Sequence, residues 1–460
     1  MRLLHAACLY LAFTSLGACA GSGEGSGEAG RASASGRSGP DSAEVALAAA
    51  EKAREDSIAQ FRARFGNRVP RPDSIRALYV NAWASGRRGT LRELMRVADE
   101  TEINTFVVDI KESDSYLSYD STGIALAREI GADQEPRSRF FRAMVDSLKA
   151  HNIYPVARIV VFKDRMLADK RSDLAIQHRN GGVWKDQHGK PWVNPYNRTV
   201  WDYNIAIARE ALDMGFSEIQ WDYVRFPDVT EARRQTMAFP GAGGKSREDN
   251  IRDFIQYSKE QLREYQVPVT ADIFGLVTHL EGDVGIGQQW EKLIAVADAV
   301  LPMVYPSHYT TGLYGLKHPN ANPYEIVRLS MQEAVERTRP VQQAGQPTGE
   351  IIPWLQAFTA DYLRDNITYS APHVRQQIQA TYDSGLKSWV LWNPSSRYEV
   401  YYPALRPADG GPSPLERSGW KPLAYQINRN RLSTVIRRRD AAERARADSA
   451  RVTQTGETKQ

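Results

Sequence analysis

Residues 218–227 read EIQWDYVRFP, and this stretch decides the fold. A short, nearly continuous apolar run that ends in charged side chains is typical of a parallel β-strand covered on both faces. Seven more runs of this kind follow one another along the chain, at residues 77–83 (ALYVNAW), 105–110 (TFVVDI), 154–162 (YPVARIVVF), 267–274 (VPVTADIF), 299–305 (AVLPMVY), 350–358 (EIIPWLQAF) and 388–392 (SWVLW). Amphipathic helical patterns separate them. Eight strands alternating with helices predict a (β/α)8 TIM barrel, flanked by terminal helices.

The loop lengths support this fold. Connections that lead into strands are tight, whereas the long ones leave strands two, three, four and six, at residues 111–137, 163–198, 227–247 and 306–323. All large insertions therefore fall at the C-terminal face, where barrel enzymes keep their sites. A doubly wound open sheet is the alternative, but the sequence has no G-x-G-x-x-G or Walker loop after an early strand.

The composition is that of a soluble globular protein. The 460 residues are 42% hydrophobic and carry a net charge of +4, with nine basic against four acidic residues from Arg429 onward. The rest of the chain is close to neutral, so no basic surface for nucleic acid is predicted. The ten Trp and 21 Tyr outnumber the 13 Phe, which suits a surface that binds sugars.

The N-terminus is typical of an exported protein. An early Arg, a short apolar run and Leu16-Gly17-Ala18-Cys19 predict a lipoprotein signal peptide at residues 1–18, with a lipid anchor on Cys19. Ordinary signal cleavage with release of the protein is the alternative. With Cys8 removed, the mature chain keeps one cysteine, so neither a disulfide nor a thiolate metal site is expected. We therefore expect a protein attached to the cell envelope, at the periplasmic or surface side of the outer membrane.

The remaining chain divides by composition. We expect a flexible Gly/Ser/Ala linker, an N-terminal helix with its connection, the barrel, and a basic C-terminal extension that is partly helical or disordered, at residues 19–43, 44–74, 75–405 and 406–460 respectively. The sequence leaves the oligomeric state open.

Charged residues at strand ends mark the candidate site, because a buried charge is costly unless it is paired or used. Asp222 is the first candidate for catalysis, although an ion pair with Arg225 would also explain it. Asp272 lies one strand further, and neighbouring strand ends can hold two carboxylates at the spacing that glycoside hydrolysis needs. Asp272 could instead cap a helix or pair with Lys111 or Arg158.

Further residues are predicted to bind substrate. Asp109 and Lys111 share one pleat face and could simply neutralise each other. Aromatic rings at strand ends and in the third loop could stack on sugars or pack in the core, among them Trp83, Trp184, Trp192 and Trp221. The complete predicted substrate-binding set is Asp109, Lys111, Arg158, Arg225, Tyr305, His308, Trp354, Gln356 and Trp392. The eight His are scattered, without an H-x-H or H-E-x-x-H pattern, so no metal and no cofactor is predicted.

Seven segments together resemble a known bacterial family of glycoside-hydrolase-type domains, long known only as a domain of unknown function. They are VVDIKES, ARIVVFKD, EIQWDYVRFP, TADIFG, PMVYPSHY, PWLQAF and WVLWNP, which occur in this order between about residues 75 and 400. The resemblance implies a barrel related to amylase-like and galactosidase-like glycosidases. Such barrels commonly place a nucleophilic Asp at the end of strand four, which by analogy is Asp222. Strand five offers Asp272 where the amylase pattern has Glu, so a retaining or inverting mechanism stays open.

The sequence therefore predicts a lipid-anchored glycoside hydrolase that acts on a poly- or oligosaccharide. Asp222 would serve as nucleophile or base and Asp272 as general acid. The alternative is a non-catalytic carbohydrate-binding barrel, which needs the aromatic rings but not two converging acids.

Overall fold

The computed structural model describes residues 68–422, together with Lys52, Glu55, Asp56 and Gly66. Its centre is a closed barrel of eight parallel strands, which confirms the predicted fold class. We number the strands β1 (Arg76–Val80), β2 (Thr105–Lys111), β3 (Tyr154–Val160), β4 (Glu218–Asp222), β5 (Val269–Phe274), β6 (Ala299–Met303), β7 (Glu350–Ile351 and Trp354–Gln356) and β8 (Trp389–Trp392). Each strand pairs with the next in the chain, and β8 pairs with β1 to close the barrel.

Helices surround the barrel between successive strands. The principal ones are α1 (Arg88–Glu100), α2 (Phe141–Ala150), α3 (Arg198–Met214), α4 (Arg247–Leu262), α5 (Trp290–Ile294), α6 (Pro323–Gln343) and α7 (Ala371–Asp383). The 3-10 helix Glu399–Ala404 takes the eighth place. Short α-helices lie at Ala82–Ser85, Ala125–Ile130, Arg165–Lys170, Glu231–Arg234 and Pro414–Arg417, and further 3-10 turns at Ser172–Leu174, Arg263–Tyr265, Gly275–Thr278, Pro306–His308, Leu313–Gly315, Pro319–Ala321 and Asp361–Leu363. In this part of the chain no helix is both long and apolar enough to cross a membrane.

Helix α3 shows how the sequence sets these elements. The Asn197 side chain accepts a hydrogen bond from the backbone of Thr199 and so caps the first turn. Gly215 ends the helix with a φ of 106°, a left-handed conformation that favours glycine. A Cβ at Gly215 would meet only the flexible end of Lys149 at close range, so the tight connection into β4 depends on this residue through its left-handed backbone.

The apolar core has two layers. The larger one lies between barrel and helices, and the smaller one fills the barrel with alternate residues of the strands, such as Val107, Val156 and Leu301. Two positions further towards the C-terminal ends, the inward-facing residues of β2 and β3 are the charged Asp109 and Arg158. The barrel therefore changes from a packed core to a charged cleft along its axis.

The N-terminal end of the barrel is closed by the segment before β1. Val69 packs into the inner core, and Arg71 binds Glu350 at 2.7 Å and Glu218 at 3.4 Å, near the starts of their strands. Arg68 donates to the backbone of Tyr265 just ahead of β5. This closure leaves the opposite end of the barrel for a site.

The C-terminal end carries the long loops that the sequence predicted. The loops after β3 and β4 are joined by a two-stranded antiparallel pairing of Gln177–His178 with Met237–Ala238, which ties together one side of this end. The predicted signal peptide, Cys19, the linker and residues 423–460 of the C-terminal extension lie outside the described residues, as does most of the predicted N-terminal helix.

Candidate active site

Arg158 is the centre of a cluster of carboxylates inside the barrel. It lies on β3, and its side chain is only 13% exposed. Its Nη1 donates to Asp109 of β2, its Nη2 donates to Asp222 of β4, and its Nε lies 3.7 Å from Asp272 Oδ2 of β5. Acids from β2 and β4, the two neighbours of β3, and from β5, one strand further, thus surround one guanidinium. Arg158 is the partner of both leading catalytic candidates.

Asp109 lies on the inner side of this cluster, away from solvent. It is fully buried and also accepts a hydrogen bond from the Tyr79 hydroxyl. Burial and the neighbouring Glu112 raise the pKa of Asp109 well above its ordinary value, although Arg158 opposes the shift. Asp109 therefore orients Arg158 and does not line the cleft.

Asp222 ends β4 at the wall of the cleft. One of its oxygens binds Arg158, and the other accepts a hydrogen bond of 2.5 Å from the backbone N–H of Tyr223. Both contacts come from donors, and that of Arg158 is cationic. The predicted ion pair with Arg225 is not formed; Arg158 takes its place.

Asp272 has a different environment. Its Oδ1 accepts hydrogen bonds from Gln220 at 2.8 Å and from the Trp354 indole at 2.7 Å, and the residue is 1% exposed. Burial, followed by the charge of Asp222, raises the pKa of Asp272 well above its ordinary value. Since Oδ1 is taken by two donors, Oδ2 is the oxygen left to carry a proton.

The two carboxylates are close enough to act together. They contact adjacent nitrogens of one guanidinium, with Asp272 Oδ2 at 3.7 Å from Nε. This shared contact keeps the two groups within the outer limit of roughly 9.5 Å that paired glycosidase acids observe. Both line one cleft of about 460 Å³ at the C-terminal end of the barrel.

Arg225 lies in the same cleft among aromatic rings. Its guanidinium packs 4.4 Å from the ring centroid of Phe274, 4.9 Å from that of Tyr223 and 5.2 Å from that of Trp192. Its Nη1 donates to the backbone oxygen of Phe226. Burial lowers the pKa of Arg225 from its ordinary value.

An aromatic group forms the wall across from the acids. Tyr305 stacks on Trp392 with their ring centroids 4.8 Å apart, and Phe358 meets Trp392 edge-on at 5.1 Å. His308 lies 5.3 Å from Tyr305 and is exposed. Flat rings beside polar groups form a surface suited to sugar faces.

The structure brings most of the predicted site residues together. Asp222, Asp272, Arg158, Arg225, Tyr305, His308, Trp354 and Trp392 line the cleft. Asp109, Lys111 and Gln356 do not. A bulge between Asp109 and Lys111 breaks the alternation of β2, so the two do not share a face, and Lys111 binds Asp164 at 2.6 Å in a fully buried pair. Gln356 is buried and accepts from the backbone of Ser307.

Several lining residues were absent from the predicted set. They include Tyr223, Phe274, Met303 and Tyr309. The alternation of β5 gives a signal for Phe274, which lies two positions after Asp272 and so faces the same way. Tyr223 has no such signal, because its φ of 48° is a backbone state that the sequence does not announce. Trp221, considered as a stacking ring, faces the helices instead and donates to Ser258.

Among the residues that the structure describes, no group of three or more His, Cys, Asp or Glu is arranged to hold a metal ion. The three acids of the cluster converge on a guanidinium.

The chain is similar to several proteins of known structure. A hypothetical protein from Ruminiclostridium thermocellum is 39% identical over 42% of this chain and 96% of its own length, with a TM-score of 0.39. The glycoside hydrolase domain of PgaB (BpsB) from Bordetella bronchiseptica is 13% identical over 71% of this chain and 95% of that domain, with a TM-score of 0.51. An α-galactosidase from Thermus thermophilus is 16% identical over 72% of this chain and 60% of its own, with a TM-score of 0.43.

At such low identity the Bordetella domain supports the barrel fold alone, and no curated protein matches the chain. The family assignment is firmer, since residues 77–398 match one family over most of the chain and over all eight strands. This match confirms the resemblance seen in the seven sequence segments. The chain belongs to the family described as "putative glycosyl hydrolase domain".

Proposed function

We propose that this protein hydrolyses glycosidic bonds, with Asp222 as nucleophile or base and Asp272 as general acid. The observation that carries the proposal is a pair of carboxylates in one cleft with opposite environments. Arg158 and a backbone N–H donate to the two oxygens of Asp222 at the wall of the cleft, whereas burial raises the pKa of Asp272. Two carboxyl groups set apart in this way are the arrangement that glycoside hydrolysis requires.

The reaction follows from these roles. The proton on Asp272 passes to the glycosidic oxygen as the bond between that oxygen and the anomeric carbon breaks. Asp222 either bonds to the anomeric carbon or takes a proton from the water that attacks it. In the first case, a water molecule that gives its proton to Asp272 then attacks the anomeric carbon and breaks the bond to Asp222. Arg158 does not react, but it positions both acids and limits their repulsion.

The rings and the remaining polar residues would hold the sugar. Tyr305 and Trp392 offer a stacked aromatic surface, and Trp354 joins this wall to the acid through its hydrogen bond to Asp272. Exposed His308 lies at the edge of the wall, where it could reach a hydroxyl group of a bound sugar. Lys111 and Gln356, which lie away from the cleft, have structural roles instead.

The test is release of new reducing ends from a panel of bacterial and plant polysaccharides by the purified full chain. Asp222→Asn and Asp272→Asn should each lower turnover by roughly 10²- to 10⁴-fold while the protein stays folded. Asp169→Asn is the matched control, since Asp169 pairs with Arg165 on the surface and should leave turnover unchanged. Unchanged turnover in Asp222→Asn would refute the assignment. Binding without release by the wild type would favour the non-catalytic carbohydrate-binding barrel.

We also propose that the chain is exported and anchored in the cell envelope through a lipid on Cys19. The support is the sequence alone, in which a short apolar segment ends in Leu16-Gly17-Ala18-Cys19 before a Gly/Ser/Ala-rich stretch. Metabolic labelling with a fatty acid should mark the wild type and not Cys19→Ala. Equal labelling of the two proteins would exclude this anchor.

A further inference from the structure

Two positively charged side chains flank the ring of Tyr223, directly after the catalytic strand β4. The Arg225 guanidinium lies 4.9 Å from the ring centroid, and Lys163 Nζ lies 4.6 Å from it. Within residues 68–422, Lys163 donates to the Tyr223 hydroxyl at 3.4 Å and Arg225 to the backbone oxygen of Phe226, and neither hydrogen bond goes to a carboxylate. Tyr223 and Arg225 line the cleft, whereas Lys163 lies outside its lining and adds positive charge from there. We call Lys163, Tyr223 and Arg225 the cationic wall.

Arg225 has hydrogen-bonding capacity that the protein does not use. A guanidinium carries five N–H donors, yet within the described residues its protein acceptor is the backbone oxygen of Phe226, at 2.9 Å from Nη1. The residue is only 7% exposed and lines the cleft. No Arg225 nitrogen is among the enclosed atoms without a partner, so its unused donors open onto the cleft, where a bound anion can accept from them.

The other charged side chains near the cleft differ from Arg225 in their partners. Arg158 is neutralised by the acids around it, and Asp222 is itself engaged by Arg158. Asp228, which also lines the cleft, is solvent-exposed and forms no ion pair with Arg225. The cationic wall thus carries two positive charges, and Asp222 and Asp228 act on Arg225 electrostatically without binding it.

The wall is also held in place. Tyr223 has a φ of 48°, a left-handed conformation that is unfavourable for a tyrosine, and its N–H is bound to Asp222. The rings of Trp192 and Phe274 fix the guanidinium from other sides. A group bound to this wall would therefore lie at a set distance from the nucleophile or base.

We propose that the cleft recognises an acidic saccharide, whose carboxylate or sulfate group binds Arg225 with support from Lys163. For the cleavage of that saccharide the inference rests on the proposed function, but its binding does not. A planar carboxylate or sulfate face matches the paired donors of a guanidinium, whereas a neutral sugar offers no anion to either cation.

Binding is measured first, by calorimetry on Asp222→Asn, so that the result does not depend on turnover. The probes are uronic-acid oligosaccharides and the same oligosaccharides after reduction of their carboxyl groups, with sulfated oligosaccharides and their desulfated forms as a second set. At least one acidic form should bind about ten-fold more tightly than its neutral counterpart. The set that shows the difference identifies the anionic group.

Variants then test the wall. Arg225→Met should abolish the preference for the acidic form, Arg225→Lys should keep part of it, and Lys163→Met should weaken it even if Arg225→Met fails to fold. Arg198→Met is the control, because Arg198 also packs on two rings, Trp201 and Tyr257, but neither Arg198 nor these rings line the cleft. A panel in which no acidic form binds better than its neutral counterpart overturns the inference, as does an unchanged preference in Arg225→Met and Lys163→Met. Binding of acidic forms without hydrolysis by the wild type would refute the proposed function and leave this inference standing.

Discussion

Replacing Arg158 with methionine should destabilise the protein strongly, and more at high pH than at low pH. Methionine keeps much of the side-chain volume but removes the one cation that Asp109, Asp222 and Asp272 share. Breaking a buried ion pair from one side costs about 3–5 kcal/mol. That is a large part of a typical unfolding free energy of about 5–15 kcal/mol. At roughly 2 °C per kcal/mol for a large domain, Tm should fall by about 6 to 10 °C.

The pH dependence has a definite sign. Burial already raises the pKa of Asp109 and of Asp272, and Arg158 opposes both shifts. Without Arg158 the native state therefore holds these protons to higher pH than the unfolded chain, whose Asp pKa is about 3.9. Stability of the variant then falls as pH rises above that value, so its deficit relative to the wild type is smallest near pH 4 to 5.

The assay is urea unfolding followed by fluorescence and circular dichroism, at pH 5 and pH 8, on wild type and Arg158→Met. Arg96→Met is the control, since Arg96 also binds two carboxylates, Glu93 and Glu100, but on the exposed surface of α1. It should show no resolvable change in Tm. A loss below about 1 kcal/mol in Arg158→Met, or a loss that is equal at both pH values, would refute the reasoning.

Three further outcomes are expected. Asp272→Asn should unfold at higher urea concentration than the wild type at pH 8 but not at pH 4, because its raised pKa makes ionisation costly only above the unfolded pKa. Equal midpoints at pH 8 would contradict this. Lys111→Met should lose about 3–5 kcal/mol of stability, because it leaves Asp164 buried without its partner. The folded variant should keep kcat within two-fold of the wild type. A large fall in kcat would show that Lys111 takes part in the active site. Trp392→Ala should raise KM about 2- to 10-fold through the lost stacking on Tyr305 with little change in kcat, as measured by initial rates.

The strands could be predicted because burial on both faces makes each one a recognisable apolar run. Their ends were less predictable. Trp83 was included in the first strand, but β1 ends at Val80, and the Asn81 side chain caps a short helix by accepting from Ala84. Asparagine before a helix is a known capping signal, so this boundary could have been found in the sequence.

The site was predictable in its location and less so in its pairings. Asp222 and Asp272 follow from strand ends and alternation, whereas the choice of Arg158 over Arg225 as partner depends on the register that sets Arg158 against Asp109 on one side and Gln220 on the other. Lys111 faces outward because a bulge between Asp109 and Lys111 inserts one residue into β2 and so shifts the alternation of its two faces. Neither the strand register nor the bulge can be predicted from local composition, because both are determined by contacts between segments that are distant in the sequence.

The closure of the barrel by Val69 and Arg71 also fixes how the enzyme would be presented to its surroundings. Residues 68–71 lie at the barrel end opposite the cleft. If the protein is held by Cys19 as proposed, the attachment therefore joins the barrel at its closed end, and the cleft opens at the other end. Shortening the segment between Cys19 and residue 68 would then restrict the movement of the barrel relative to the membrane without altering the cleft.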